Sequence, residues 1–319
     1  LYVYEVDVSL ANEDKVLKKN KSVDILKSPS LEYKYNITGK DKLLSRPIVV
    51  GSGPSGLFCA YFLAEAGFRP IVLERGEKVE DRVLSVEKFF NSNKLNTSSN
   101  VQFGEGGAGT FSDGKLNTLV KDKFNRGRKV FEIFVENGAP NEIMYDAHPH
   151  IGTDILRNVI KNIREKIISM GGEFRYNSCV TDIYISNDSI TGVQVNNSYD
   201  ISTDIVVLAI GHSARDTFRL LYDKGISMRP KNFAVGVRIE HPRSMIDWNQ
   251  YGKFSKVLGA ASYKLTHTTS SGRGVYSFCM CPGGFVVNAS SEEGRLVVNG
   301  MSNYKRDEKN SNSALVVTV

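Results

Sequence analysis

Residues 47–76 read PIVVGSGPSGLFCAYFLAEAGFRPIVLERG, a stretch in which three glycines separate two apolar runs and an acid closes the second run. The first run, over 48–50, predicts a short buried strand. The segment LFCAYFLAEA predicts a helix that ends at Gly67, and PIVLE predicts a second strand. A strand, a glycine turn, a helix and a second strand are typical of a βαβ unit with parallel strands.

The glycine turn matches the spacing G-x-G-x-x-G at Gly51, Gly53 and Gly56. The first glycine permits the tight turn, the second lets the main chain approach a pyrophosphate, and the third lets the helix pack against the strand. Pro54 and Ser55 complete the turn, where helix N-terminal amides and the helix dipole attract a diphosphate. The turn therefore predicts a dinucleotide site.

Glu74 ends the second strand, 74 − 51 = 23 residues after the first glycine. A carboxylate at this position can accept hydrogen bonds from both ribose hydroxyls of an adenosine. It also repels a 2′-phosphate, which disfavours NADP at this site. Arg75, next in the chain, is a cation that leaves NADP open as an alternative.

A second glycine-rich segment, NVQFGEGGAGTFSDGKLNT, covers residues 100–118. Its glycines leave the main chain open to flat or anionic ligands. The alternative is a mobile lid or linker, because long glycine loops often serve only as connections.

Further along, the apolar strand in STDIVVLAIGHSARDTF ends at Ala209 and Gly211 and is followed by His212. A strand that ends in A-x-G after a β-meander resembles the second nucleotide-contacting strand of flavoproteins with two dinucleotide domains. That resemblance implies that the chain near Val180 passes an adenine through backbone atoms. His212 is a candidate donor to a phosphate or a flavin, and a capping or loop role is its alternative.

Six blocks, NVQFGEGGAGTFSDGKL, HPHIGTD, LAIGHSARDTF, FAVGVRIEHP, YSFCMCPGG and NGMS, resemble the uncharacterised FAD-dependent (NAD/FAD-utilising) dehydrogenases of bacteria. The resemblance runs from about residue 47 to the end and implies FAD as cofactor. It implies flavin-ring contacts from loop residues Gly106, Gly107 and Gly109, and Thr110 is a further candidate for cofactor binding. Lys115 is a candidate cation near the flavin pyrimidine, where it would stabilise the anionic reduced ring, and a solvated loop charge is the alternative. Family members extend further at both ends, so we expect this chain to be truncated at both ends and to lack the segment that closes the flavin site.

Cys279 and Cys281 lie in the block CMCPGG and are the candidate catalytic residues. A thiolate near a flavin could exchange electrons or attack a substrate. In the alternative interpretation, the proline and glycines shape a turn and the sulfurs only fill space. His148 and His150 have no further ligand at metal spacing, so no metal site is predicted.

The predicted fold is α/β: a Rossmann-like FAD/NAD(P)-binding domain with a β-rich substrate-side domain. Residues 1–46, with a strand predicted over 2–8, are assigned to the remnant of an appended N-terminal domain. Residues 47–224 are assigned to a discontinuous FAD-binding domain and 225–319 to an incomplete β-rich domain that caps the flavin and the substrate.

The composition excludes several classes of protein. The net charge is +6, from 41 basic and 35 acidic residues, without a concentrated basic segment that would favour nucleic acid. No apolar run approaches the length of a membrane span, and the thiols are typical of a reducing, cytoplasmic location. No nucleic-acid or membrane partner is therefore expected.

The predicted function is that of an FAD-dependent oxidoreductase, a dehydrogenase that uses bound flavin for hydride transfer. Its expected partner is a small-molecule substrate, and NAD(P)H is a candidate electron donor. Two alternatives stay open: an NAD-dependent dehydrogenase without flavin, and a non-enzymatic flavin-binding redox sensor.

Overall fold

A computed structural model describes residues 3–20, 22–35, 37–39, 42–118 and 120–319. The helices within these ranges are α1 (Glu13–Lys19), α2 (Pro54–Glu65), α3 (Val79–Ser92), α4 (Arg126–Glu136), α5 (Thr153–Ser169), α6 (Arg215–Asp223) and α7 (Arg243–Tyr251). The strands are β1 (Ile48–Val50), β2 (Ile71–Leu73), β3 (Glu173–Arg175), β4 (Val180–Ser186), β5 (Ser189–Val195), β6 (Tyr199–Ser202), β7 (Val206–Leu208), β8 (Ala234–Pro242), β9 (Thr266–Thr268), β10 (Gly274–Cys281), β11 (Phe285–Asn288), β12 (Val298–Met301) and β13 (Asn310–Thr318).

A parallel sheet of four strands, in the order β3-β2-β1-β7, forms the centre of the first part of the chain. The chain moves outward from β1 to β2 and β3 and later returns to place β7 on the other side of β1. In open α/β sheets, such a reversal of strand order opens a crevice at the carboxyl ends of the strands.

The two faces of this sheet bury different sets of side chains, because neighbouring residues of a strand point to opposite faces. Val49 and Val72 pack with helices α2 and α5. Ile48 and Val50 pack instead with the antiparallel meander β4-β5-β6 and with α6. Helix α5 buries one apolar face, with Leu156, Val159, Ile160, Ile163 and Ile167 buried and Ile155 packed against the same core.

The second part of the chain is built on antiparallel strands. β8, β13, β10 and β9 form one sheet in that order, and β11 pairs with β12. The predicted fold class, a Rossmann-like α/β fold with a β-rich second part, is therefore confirmed.

The strand predicted near the N-terminus is wrong for residues 3–8, which form no strand; Tyr2 lies outside the described residues. Val3 and Val6 are largely exposed, so the alternation of apolar residues there does not reflect burial on a sheet. The first regular element after them is α1. The limits proposed for the three domains stay a prediction.

Candidate functional site

A cavity of about 740 Å³ lies at the carboxyl ends of β1, β2 and β7. This volume falls within the range of small-molecule and cofactor sites. The residue that ends each strand and the residue after it line the cavity: Val50, Gly51, Leu73, Glu74, Leu208 and Ala209. We call this space the strand-end cavity. The parallel arrangement explains it, because the carboxyl ends of parallel strands meet at one edge of the sheet.

The turn from β1 to α2 forms one wall of the strand-end cavity. Gly51 has φ +97°, and a Cβ there would lie 2.5 Å from the Ala209 carbonyl oxygen. Gly53 and Ser55 line the cavity, as does Pro54, the first residue of α2. A Cβ on Gly53 would lie 3.8 Å from its nearest neighbour, the Gly107 Cα atom, so the glycine keeps this part of the wall flat.

Gly56 lies outside the cavity and serves the packing of α2. A Cβ there would overlap the Gly51 carbonyl oxygen and lie 3.4 Å from the Ala209 Cβ atom. The third glycine of the motif therefore positions the helix, while the first two shape the wall.

The Glu74 carboxylate lines the cavity but already accepts hydrogen bonds on both oxygens. Oε2 accepts from the Ser52 amide at 2.8 Å and from its hydroxyl at 2.6 Å. Oε1 accepts from the amides of Gly76 at 2.9 Å and Gly104 at 3.1 Å. A carboxylate has about four acceptor positions. Glu74 thus ties three backbone segments together, and a ribose could bind its carboxylate only by sharing or displacing one of these donors.

Arg75 lines the cavity beside Glu74 but has partners within the protein. It donates to the Asp216 carboxylate at 2.9 Å and to the Thr217 hydroxyl at 3.1 Å. Its guanidinium lies over the Phe103 ring, 4.5 Å from the centroid. These contacts hold Arg75 against the wall and reduce its availability for a 2′-phosphate.

The glycine-rich loop forms the wall next to the glycine turn, and only part of the predicted contact set faces the cavity. Gly107 and Gly109 line it. Gly106 and Thr110 are buried behind the loop, where the Gly106 amide donates to the Ser52 carbonyl and the Thr110 hydroxyl donates to the Glu105 carbonyl. Gly106 and Thr110 thus shape the loop, and their contact with a ligand stays a prediction.

Arg82 supports this loop from beneath, and the sequence analysis missed it. The side chain is fully buried and donates to the carbonyl oxygens of Asn100, Val101, Gly104 and Glu105. Burial lowers the pKa of Arg82 to about 10. The signal was an arginine on the buried face of α3, in step with apolar Val79, Val86 and Phe89.

The remaining predicted contacts lie on the side of the cavity formed by β4 and β7. Val180, Ala209, Gly211 and His212 all line it. His212 Nδ1 lies 2.7 Å from the Ser213 hydroxyl, which in turn contacts Gln102 of the glycine-rich loop. The structure therefore brings the glycine turn, the acid, the loop and the A-x-G strand end to one cavity.

Lys115 lies outside the cavity and ion-pairs with Asp113 at 2.6 Å. Asp113 also accepts from Arg306 Nε at 2.9 Å and from the Ser302 hydroxyl. Burial raises the pKa of Asp113, but the Arg306 hydrogen bonds and the Lys115 charge hold it below its ordinary value. The predicted place of Lys115 beside a flavin ring stays a prediction.

Cys279 and Cys281 also lie outside the cavity, in a second polar group that we call the thiol cluster: Cys279, Cys281, Lys115, Arg238 and Asn312. Arg238 donates to the Cys279 carbonyl at 3.2 Å and to the Asn312 side-chain oxygen. The Cys281 thiol lies 3.5 Å from the Cys279 carbonyl oxygen. Both cysteines are free thiols.

The two thiols of this cluster ionise differently. The hydrogen bond from Cys281, opposed by burial and assisted by the charges of Lys115 and Arg238, lowers the pKa of Cys279 to about 6. The same hydrogen bond together with burial raises the pKa of Cys281 far above its ordinary value. The lowered pKa favours the thiolate form of Cys279, whereas Cys281 stays a thiol that donates to the Cys279 carbonyl oxygen.

No group of three or more His, Cys, Asp or Glu side chains that could hold a metal ion occurs in the described ranges. Within the same ranges, no helix has both the length and the apolar character that crossing a membrane requires.

Two family models match this chain. Residues 49–97 match an NAD(P)-binding Rossmann-like domain, and residues 232–319 match the C-terminal domain-like region of FAD-dependent proteins. An uncharacterized protein of Clostridium beijerinckii is 49% identical over 319 residues, which are 99% of this chain and 59% of that protein. The chain thus spans less than two thirds of the relative's length. The matches confirm the resemblance to FAD-dependent proteins.

Solved structures match this chain at low identity and low TM-score. Thermovibrio ammonificans THI4 is 19% identical, with a TM-score of 0.37 over 56% of this chain and 62% of that one. L-proline dehydrogenase from P. horikoshii is 16% identical, with a TM-score of 0.34 over 62% and 61%. The halogenase PltM is 11% identical, with a TM-score of 0.41 over 84% and 50%. Similarity at this level carries no information on function.

Proposed function

Since the chain carries a Rossmann-like domain and the C-terminal domain-like region of FAD-dependent proteins, we propose that it is the nucleotide-binding part of an FAD-dependent oxidoreductase. The observation that carries the proposal is the strand-end cavity, in which the glycine turn, Glu74 and the glycine-rich loop meet. These residues fit FAD, because the glycines of the turn and the loop expose backbone in the cavity walls. A Cβ at Gly53 would take up space beside that backbone.

The residues of the cavity divide the proposed site into parts. The Gly51–Gly53 turn and Ser55, at the start of α2, would hold the diphosphate through backbone amides and the helix dipole. Glu74 would accept from the ribose, with the Ser52 hydroxyl as the donor that can rotate away. Val180 would face the adenine, and Gly107 and Gly109 would contact the ring system.

Bound FAD would supply the redox chemistry by accepting or passing a hydride. The protein would contribute binding and orientation: the N-terminus of α2 would hold the diphosphate, and Arg82 would keep the glycine-rich loop in one shape. NAD(P)H as electron donor, a small-molecule substrate and a cytoplasmic location belong to the same proposal.

The test is to identify the cofactor of the full-length protein. The purified protein should be yellow, and heating should release FAD, identified by mass. Reduction by NADH and by NADPH should then be followed in a stopped-flow instrument.

A folded, colourless protein that binds NADH but not FAD would overturn the proposal in favour of a flavin-free NAD-dependent dehydrogenase. Bound flavin that small-molecule acceptors cannot reoxidise would instead support the redox-sensor alternative.

A further inference from the structure

The strand that carries both cysteines of the thiol cluster contains a β-bulge. Phe278 is paired with Ala314 and Cys281 with Asn312, so β10 advances three residues while β13 advances two. Cys279 lies at the extra residue with φ +48°, a left-handed conformation that is uncommon outside glycine. In a regular strand, residues two apart have Cα atoms roughly 6.6 Å apart, near the upper limit for a disulfide. The bulge departs from that spacing, and the Cys281 thiol lies 3.5 Å from the Cys279 carbonyl oxygen.

The burial of the two thiols differs in the way that an exchange reaction requires. Cys279 is half-buried, and the neighbouring Phe278 side chain is 62% exposed, so Cys279 lies near the surface. Cys281 is completely buried. An incoming group would thus reach Cys279 first, because Cys281 lies deeper in the protein.

The surroundings of the pair are polar and not fully satisfied. The Asn312 side chain is fully buried, and its Nδ2 has no hydrogen-bond partner among the described residues, although its oxygen accepts from Arg238. A Cβ on Gly300 would lie 2.7 Å from the Cys281 sulfur and would also collide with Arg238 and Asn312. The glycine therefore leaves room for the polar groups of Arg238, Asn312 and Cys281 to lie close together. Sulfur atoms that only filled space would not require this arrangement.

We propose that Cys279 and Cys281 form a redox-active dithiol that exchanges with small disulfides, with Cys279 as the attacking thiolate and Cys281 as the resolving thiol. The pair is distinct from the strand-end cavity. Exchange with a disulfide requires no bound nucleotide, so the proposal can fail or succeed independently of the flavin assignment.

The reaction balances in two steps. The Cys279 thiolate attacks one sulfur of the disulfide, a bond forms between them, the original sulfur–sulfur bond breaks and one thiolate leaves. Cys281 then loses its proton to the solvent and attacks the Cys279 sulfur, which releases the second thiolate. The incoming disulfide gains two electrons, and the protein pair loses two as it becomes an internal disulfide.

The experiment uses glutathione disulfide as the probe on the full chain. The wild-type protein should lose two hydrogens in mass, and peptide mapping should locate the new bond between Cys279 and Cys281. In Cys281→Ser, the mixed disulfide should persist on Cys279, and Cys279→Ser should not react. Cys59→Ser, a half-buried cysteine of α2, serves as the matched control and should behave as the wild type.

The pH dependence of alkylation by iodoacetamide is a second measurement. A purely structural role of the two cysteines would not affect it. Cys279 should react with a midpoint near pH 6. Lys115→Gln should shift that midpoint upward, whereas Lys256→Gln, an exposed lysine outside the cluster, should not. A wild-type protein that forms no internal disulfide, or a Cys279 midpoint in the ordinary thiol range of about 8.5, would overturn the proposal.

Discussion

The strand-end cavity has several glycines in its walls, whereas the thiol cluster is made of charged, amide and thiol side chains. Glycines at 51, 53, 107 and 109 give the cavity its shape. In the cluster, Lys115 and Arg238 set the ionisation of Cys279. The shape of the first site therefore depends on glycines, which have no side chain. The chemistry of the second site depends on the positions of its charged side chains.

The largest expected effect comes from the glycine that packs α2 on the sheet. Gly56→Ala puts a Cβ onto the Gly51 carbonyl oxygen. Both groups belong to rigid backbone, which cannot shift to relieve the overlap. We expect loss of the cooperative unfolding transition, measured by circular dichroism during heating.

Gly39→Ala is the matched control for that variant, because a Cβ there meets nothing within 4 Å. An unchanged transition in Gly56→Ala would contradict the packing role.

Arg82→Met tests whether the loop wall needs its buried cation. The change leaves four buried carbonyl groups without their donor, and we expect a loss on the order of 3–5 kcal/mol in the free energy of unfolding. Urea titration measures it, with Lys88→Met, an exposed position on the same helix, as the control. Equal stability of the two variants would contradict the account.

Glu74→Gln distinguishes a structural from a ligand-binding carboxylate. In the variant, the side-chain NH2 group would face two N–H or O–H groups that donate to the carboxylate in the wild type. Because donors cannot pair with each other, the ligand-free protein should lose about 1–3 kcal/mol in free energy of unfolding. The exposed Glu293→Gln is the control for urea unfolding. Unchanged stability with weakened FAD binding would mean that the carboxylate serves the ribose alone.

The smallest expected effect concerns pH. Hydrogen bonds from Arg164, at 2.9 and 2.7 Å, lower the pKa of Glu80 to about 2. A carboxyl group whose pKa is depressed on folding stabilises the protein above its unfolded value, near 4.5, and loses that contribution as the pH falls toward 2. Between pH 5 and 2, the unfolding temperature should therefore fall by about a degree or two less in Glu80→Gln than in the wild type. An identical acid profile in wild type and variant would contradict this pairing.

The same contrast explains how much could be predicted from the sequence. The glycine turn and the acid at position 74 are local patterns with a fixed spacing, so they indicated the parallel sheet and its strand-end cavity. Arg82 gave only a faint signal, an arginine in step with apolar residues. The surroundings of Cys279 could not be predicted, because β8, β10 and β13 bring together Arg238, Cys279 and Asn312, which lie more than 30 residues apart in the sequence.

The most direct test of the central claim is the dissociation constant for FAD of the wild-type protein and of Gly53→Ala, measured by flavin fluorescence. The added methyl group would make only an ordinary contact with the protein, 3.8 Å from the Gly107 Cα atom, but would occupy space at the cavity wall, so affinity should fall at least tenfold, about 1.4 kcal/mol, at an unchanged unfolding midpoint. Equal FAD affinity in the two proteins would contradict the claim that this turn holds the cofactor.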